Sequence, residues 1–170
     1  MANPLYGQNK ADSSLSELIF QSTTPTVHTN STDAADLFSY SIPANKLESG
    51  NIVRIKAFAT VTDNNSTDTL TPVLNFAGSA IASGAALDVA DSDIIYAWAD
   101  VHVISIGSSG SMKAISEIRS DANGGTSVTA ATALSSKDTT AAIAVALNVD
   151  WSVAHAENIV KLDSVSIELL

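Results

Sequence analysis

Cysteine is absent from the 170 residues, which excludes disulfide staples, thiolate metal sites and a cysteine nucleophile. Aromatic side chains make up 5% of the chain, too few to line the cleft that a glycoside hydrolase builds around its paired carboxylates. Cations are equally scarce: eight Lys and Arg stand against eighteen Asp and Glu, for a formal net charge of −10. The eight are scattered, so no basic patch offers itself to phosphates and nucleic acid is not an expected partner. No segment approaches the ~18 to 20 continuous apolar residues of a membrane span, so no membrane partner is expected either. The opening MANPLYGQNK has no basic region followed by an apolar run, and no secretory leader is expected from it. The Asn-x-Ser/Thr matches at Asn30, Asn64 and Asn65 therefore read as loop residues.

The missing motifs narrow the chemistry further. There is no G-x-x-x-x-G-K-[ST] phosphate loop and no G-x-S-x-G nucleophile elbow. His28, His102 and His155 show no metal-ligand spacing and read as surface or half-buried imidazoles. Asp88, Asp91 and Asp93 are the best metal constellation, three hard carboxylates within six residues. They lack EF-hand spacing and a following Glu, and read as a solvated acidic turn. No cofactor, metal or catalytic residue is expected, and the chain reads as a non-enzyme.

What is there is a chain that is 45% hydrophobic and rich in Ala, Ser and Thr. Residues 1–35 are polar, with apolar islands at Leu5 and Tyr6, at Leu15 to Phe20, and at Val27. Such islands read as an extended arm docking on partner subunits, or as an ordinary loose terminus. Leu15, Leu18 and Ile19 have the spacing of a short helical turn capped by Ser13 or Ser14.

From Asp36 the pattern turns to β. Phe38, Tyr40 and Ile42 alternate before Pro43, and Val53, Ile55, Ala57, Ala59 and Val61 share one face opposite Arg54, Lys56, Thr60 and Thr62. Leu70, Leu74 and Phe76 are in phase, with Pro72 marking an edge strand. Residues 77–93 read as a small-residue linker with one weak strand. Ile94 to Ile106 is the longest strand: Ile95, Ala97, Ala99, Val101 and Val103 face one way, and Tyr96, Trp98, Asp100, His102 and Ile104 the other. A turn at residues 107–110 leads into Met112 to Arg119. Residues 120–140 read as loose; Ala141 to Trp151 and Ile159 to Leu170 alternate as strands. About eight strands without a helix after residue 35 predict an all-β fold. The expected form is a jelly-roll-like antiparallel β-sandwich over residues 36–170, behind an extended N-terminal arm over residues 1–35.

Tyr96, Trp98 and His102 on one strand face form either a sugar-stacking platform or a face packed against a neighbouring subunit; aromatic enrichment fits both.

Leu37 to Leu47 (LFSYSIPANKL) followed by Gly50 to Ala57 (GNIVRIKA) resembles the "LFSYTIPANTL…GDVIRIRA" opening of phage structural proteins. Leu147 to Ser152, Asn158 to Val160 and Val165 to Leu170 resemble the closing strands of that group. Asn3 to Asp12 is similar to the N-termini of capsid-associated proteins of tailed phages. The resemblance implies a decoration (cement) protein, made in the host cytoplasm. It would bind the major capsid protein on the outer capsid surface, often as a homotrimer, and stabilise the head through protein contacts. Leu5, Tyr6, Leu15, Leu18, Ile19 and Phe20 are then the apolar anchors of the capsid-binding arm. The alternative within the same group is a receptor- or glycan-binding module of a tail fibre or head appendage. On the arm reading, deleting residues 1–20 leaves a folded β domain that no longer rebinds capsids; undiminished rebinding overturns it.

Overall fold

The computed structural model describes residues 16–62, 67–122 and 127–170. Twelve strands are formed among them: β1 Glu17–Ser22, β2 Val27–Thr29, β3 Ala35–Ile42, β4 Ile52–Thr62, β5 Thr69–Phe76, β6 Ser79–Ser83, β7 Leu87–Asp88, β8 Ile94–Ser105, β9 Gly110–Ser120, β10 Ser127–Lys137, β11 Ile143–Trp151 and β12 Ile159–Leu169. All pairings are antiparallel. One sheet runs β1-β12-β4-β8-β9-β10, with β2 also on β12; the other runs β3-β11-β5-β6, with β7 also on β5. The two share a single apolar core, so the all-β sandwich expected from the alternation is the fold. β3, β4 and β5 alternate between the sheets, as do β10, β11 and β12, whereas β8, β9 and β10 follow one another as a plain meander.

The division of labour between the sheets follows from side-chain volume. The inner positions of the seven-stranded sheet are small at its centre: Ala57, Ala59, Ala97, Ala99 and Ala114 are all fully buried. The five-stranded sheet supplies the bulk, with Leu70, Leu74, Phe76, Leu147 and Trp151 buried from β5 and β11. Large residues facing small ones let the two layers interdigitate at interior density.

Five expectations need correction. No helical turn involves Leu18 and Ile19, which lie in β1, and the β structure begins at Glu17 rather than near residue 36. Ile19 and Phe20 both pack on the core because the register shifts between Leu18 and Phe20. That bulge breaks the alternation by which the strand would have been recognised. Residues 127–137 are an eleven-residue strand, β10, hidden in sequence because Ala, Ser and Thr give little contrast between its two faces. The 77–93 segment holds β6 and β7. Pro72 is not in an edge strand, since β5 pairs with β11 on one side and with β6 and β7 on the other. It sits where β6 has ended and β7 has not begun, and there the Pro72 carbonyl accepts from the Gly84 N–H at 2.8 Å. A missing amide hydrogen costs no ladder bond at that point. Leu5, Tyr6, Leu15, the Ser13/Ser14 cap and the sequons at Asn64 and Asn65 lie outside the described residues.

Both flanks of the sandwich are bridged by side chains. On one, Phe20 of β1 stacks on Tyr40 of β3, ring centroids 4.6 Å apart. On the other, Ser116 of β9 donates to the Ile81 carbonyl of β6 at 2.6 Å, and Thr132 of β10 to the same oxygen at 3.3 Å. Lys137 closes the corner by donating to the Ala77 carbonyl and to the Ser79 hydroxyl.

Two substitutions test this frame. A Cβ on Gly110 would lie 2.7 Å from the Ser105 carbonyl oxygen and 2.9 Å from that of Lys137, both backbone atoms. Gly110→Ala is expected to cost about 1–3 kcal/mol, as overpacking does, in denaturant unfolding; an unchanged midpoint contradicts the tight corner. Phe20→Ala is expected to cost ~1–2 kcal/mol, below the 3–5 kcal/mol typical of a fully buried Phe. A free arm would show no loss at all.

Candidate functional site

The outer face of the seven-stranded sheet is where the sequence-derived candidates converge. Period-2 alternation buries Ile95, Ala97, Ala99, Val101 and Val103 of β8 and turns Tyr96, Trp98, Asp100 and His102 outward. The antiparallel register then aligns these with neighbours in rows across the sheet. Phe58, Tyr96 and Arg119 form one row; Ser166, Lys56, Trp98, Glu117 and Thr129 the next. Glu168, Arg54, Asp100 and Ile115 form the third, and Ile52, His102 and Lys113 the fourth. Strand spacing makes such a row, from β1 to β10, roughly 25 Å long.

Tyr96 and Trp98 are therefore neighbours on the platform, and His102 stands two rows beyond Trp98, exposed and apart from the aromatics. The residue that sequence reading missed is Phe58. Its ring packs against Tyr96 with centroids 4.7 Å apart and 38° between planes, yet it remains 43% exposed. Its signal was present: Phe58 occupies an outward slot in β4, between Lys56 and Thr60, where the alternation calls for a polar residue.

Charge pairs hold the surround in place. Arg54 donates to Asp100 through Nε at 2.8 Å and a terminal nitrogen at 2.7 Å, a two-point contact that fixes both side chains. The hydrogen bond to Asp100 raises the Arg54 pKa further above its ordinary value. Arg119 donates to Glu117 at 2.9 Å beside the Tyr96 row. The Tyr96 phenol is raised above its ordinary pKa, chiefly by partial burial and next by the Glu117 charge. Beyond Tyr96 the surface dips into an open depression of ≈ 310 Å³ lined by Ile94, Tyr96, Arg119, Ser120 and Asp121.

The other candidates are dispersed. Ile19 and Phe20 are packed on the chain's own core, whereas Leu18 is exposed opposite Glu168. His28 is buried on β2 and its Nε2 has no hydrogen-bond partner among the described residues. His155 sits between β11 and β12, where Nδ1 accepts from the Glu157 N–H. The Asp93 carboxylate accepts from the Ala90 N–H within its own turn. Among the described residues no three His, Asp or Glu side chains converge as metal ligands. The outer face thus carries three aromatic side chains, Phe58 exposed and Tyr96 and Trp98 half-buried, with polar groups at their margins.

No protein-family model matches the chain, and no curated protein matches it. Among solved structures, it is similar to the C-terminal domain of EclA, described as a sugar-binding protein, at 13% identity and a TM-score of 0.42. That likeness covers 98% of this chain and 88% of the other. It is also similar to the CBM2 module of the evolved Dit of Lactobacillus casei BL23 phage J-1, at 11% identity and a TM-score of 0.31 over 76% of this chain and 67% of that one. Likenesses this distant carry no functional argument.

The raised phenol is measurable. Free tyrosine titrates near pH 10, and ultraviolet titration of the folded protein should show a phase above that range which Tyr96→Phe removes. The native state holds this proton more tightly than the unfolded chain. The corresponding stabilisation is thus complete below about pH 10 and lost as pH rises through the raised native value.

Proposed function

We propose that the chain is a non-catalytic carbohydrate-binding β-sandwich and that the outer face of β4, β8 and β9 is its binding surface. One observation carries this reading: three of the nine aromatic residues, Phe58, Tyr96 and Trp98, share one solvent-facing patch of a sheet. In a protein with so few aromatics, turning three outward, with Phe58 exposed and Tyr96 and Trp98 half-buried, forfeits part of a burial energy of about 1.5–3 kcal/mol for a side chain of this kind. Their rings offer apolar π faces suited to the C–H faces of a pyranose, and the fixed Arg54–Asp100 and Arg119–Glu117 pairs offer donors and acceptors to hydroxyls at the rim. Exposed apolar patches rimmed by polar groups mark interaction sites.

The resemblance of the strand segments to phage structural proteins gives such a module a natural setting, a virion appendage that reads glycans on a host surface. The rival within that setting, a capsid cement protein anchored by its arm, draws less support. Of its anchors in the described residues, Ile19 and Phe20 are engaged by the chain's own core and Leu18 alone is exposed.

A glycan array and affinity electrophoresis against polysaccharides test the proposal. Trp98→Ala is expected to weaken binding at least about tenfold, the 1.4 kcal/mol of one good contact, with an unchanged melting temperature. Wild-type binding by a Trp98→Ala, Phe58→Ala double variant would sink the platform, as would a wild-type protein that retains no glycan but rebinds capsids.

A further inference from the structure

The chain as a whole is strongly acidic, yet the platform is not. Within the four rows from Ile52 to Phe58, the outer face carries Arg54, Lys56, Lys113 and Arg119 against Asp100, Glu117 and Glu168. With eight cations and eighteen carboxylates in all, four of the eight cations occur with only three of the eighteen acids, and the remainder of the molecule holds four against fifteen. The four cations fall into two kinds. Arg54 and Arg119 are each neutralised by a carboxylate on the face. Lys56 and Lys113 are in no salt bridge among the described residues.

Lys56 is the more telling of the two. It lies directly across the strand pair from Trp98, with Ser166 on its other side. A ring stacked on the Trp98 indole therefore has an uncommitted ammonium one strand away, about 4.8 Å in backbone spacing. Glu117, on the far side of Trp98, is held by Arg119. The arrangement gives a stacking surface with one cationic margin free and the anionic margin compensated.

We propose, building on the carbohydrate-binding reading, that the preferred ligand is an anionic glycan whose sugar carboxylate meets Lys56 while its ring stacks on Trp98. Lys113, two rows away, serves a second acidic unit of the same polymer. The acidic remainder of the molecule disfavours approach of such a polymer, which biases it toward the platform. Electrostatic recognition of this type weakens with salt, since both lysines are solvent-facing and screened.

The experiment is affinity electrophoresis of the full chain through gels containing polygalacturonate, alginate or neutral hydroxyethylcellulose, at low and at high salt. The wild type is expected to be retarded by the uronate polymers at low salt and about tenfold less at high salt. Lys56→Gln should cut that retardation by about threefold to tenfold and Trp98→Ala should abolish it. Lys46→Gln, a control in the turn after β3 that pairs with Glu17 and lies outside the four rows, should change nothing. Equal retardation by the neutral polymer, insensitive to salt and to Lys56→Gln but lost in Trp98→Ala, would overturn the anionic preference and leave carbohydrate binding standing. Retardation by no polymer, or uronate retardation indifferent to Trp98→Ala, would overturn both.

Discussion

The close fit of an alanine-rich inner face against a sheet that carries the large side chains is the constraint on which the rest of the fold depends. Ala57, Ala59, Ala97, Ala99 and Ala114 leave room that Leu70, Leu74, Phe76, Leu147 and Trp151 fill. Because β4, β8 and β9 set alanines among larger inward residues such as Ile55, Ile95, Met112 and Ile118, the alanine positions contribute shape rather than bulk. A methylene added there has nowhere to go, since interiors at this density cannot absorb it without moving backbone. The same strands are therefore a rigid support for whatever their outer face carries, and it is on these three that Phe58, Tyr96 and Trp98 sit.

Much of this could be read from the chain itself, and what was missed has definable causes. Strands β4, β8, β9 and β11, and the second half of β12, announce themselves by alternation, and the outward set Tyr96, Trp98, Asp100 and His102 follows from it directly. β10 stayed hidden because Ala, Ser and Thr read alike on either face. β1 stayed hidden because a bulge at Ile19 puts two apolar residues side by side. The platform was half legible: two of its aromatics are in one strand, but the third, Phe58, joins them only through the β4–β8 register, which no local pattern encodes. The rows of charge across β4, β8 and β9 have the same origin. Pairings between distant segments assemble them, whereas His102, in the right strand, lies two rows from the aromatics.

Arg54 and Asp100 illustrate how charge is handled on this surface. Their two-point contact holds two long side chains flat beside the aromatic patch. The pair is part-buried, and its two-point contact fixes the position of both groups. Arg119 and Glu117 make a single contact of this kind on the other side of Trp98. An otherwise floppy polar border becomes a fixed one, and a ligand meeting it loses less conformational freedom than one that must order the border itself.

The bridged flanks have a separate consequence, for how copies of the molecule behave toward one another. A sandwich exposes unpaired peptide groups along its outermost strands, which are ready templates for another chain. Here the Ile81 carbonyl is already taken by Ser116 and Thr132, and the β1–β3 seam is covered by the Phe20–Tyr40 stack. These contacts occupy one carbonyl of β6 and cover the β1–β3 seam, and a net charge of −10 sets like copies against one another in solution.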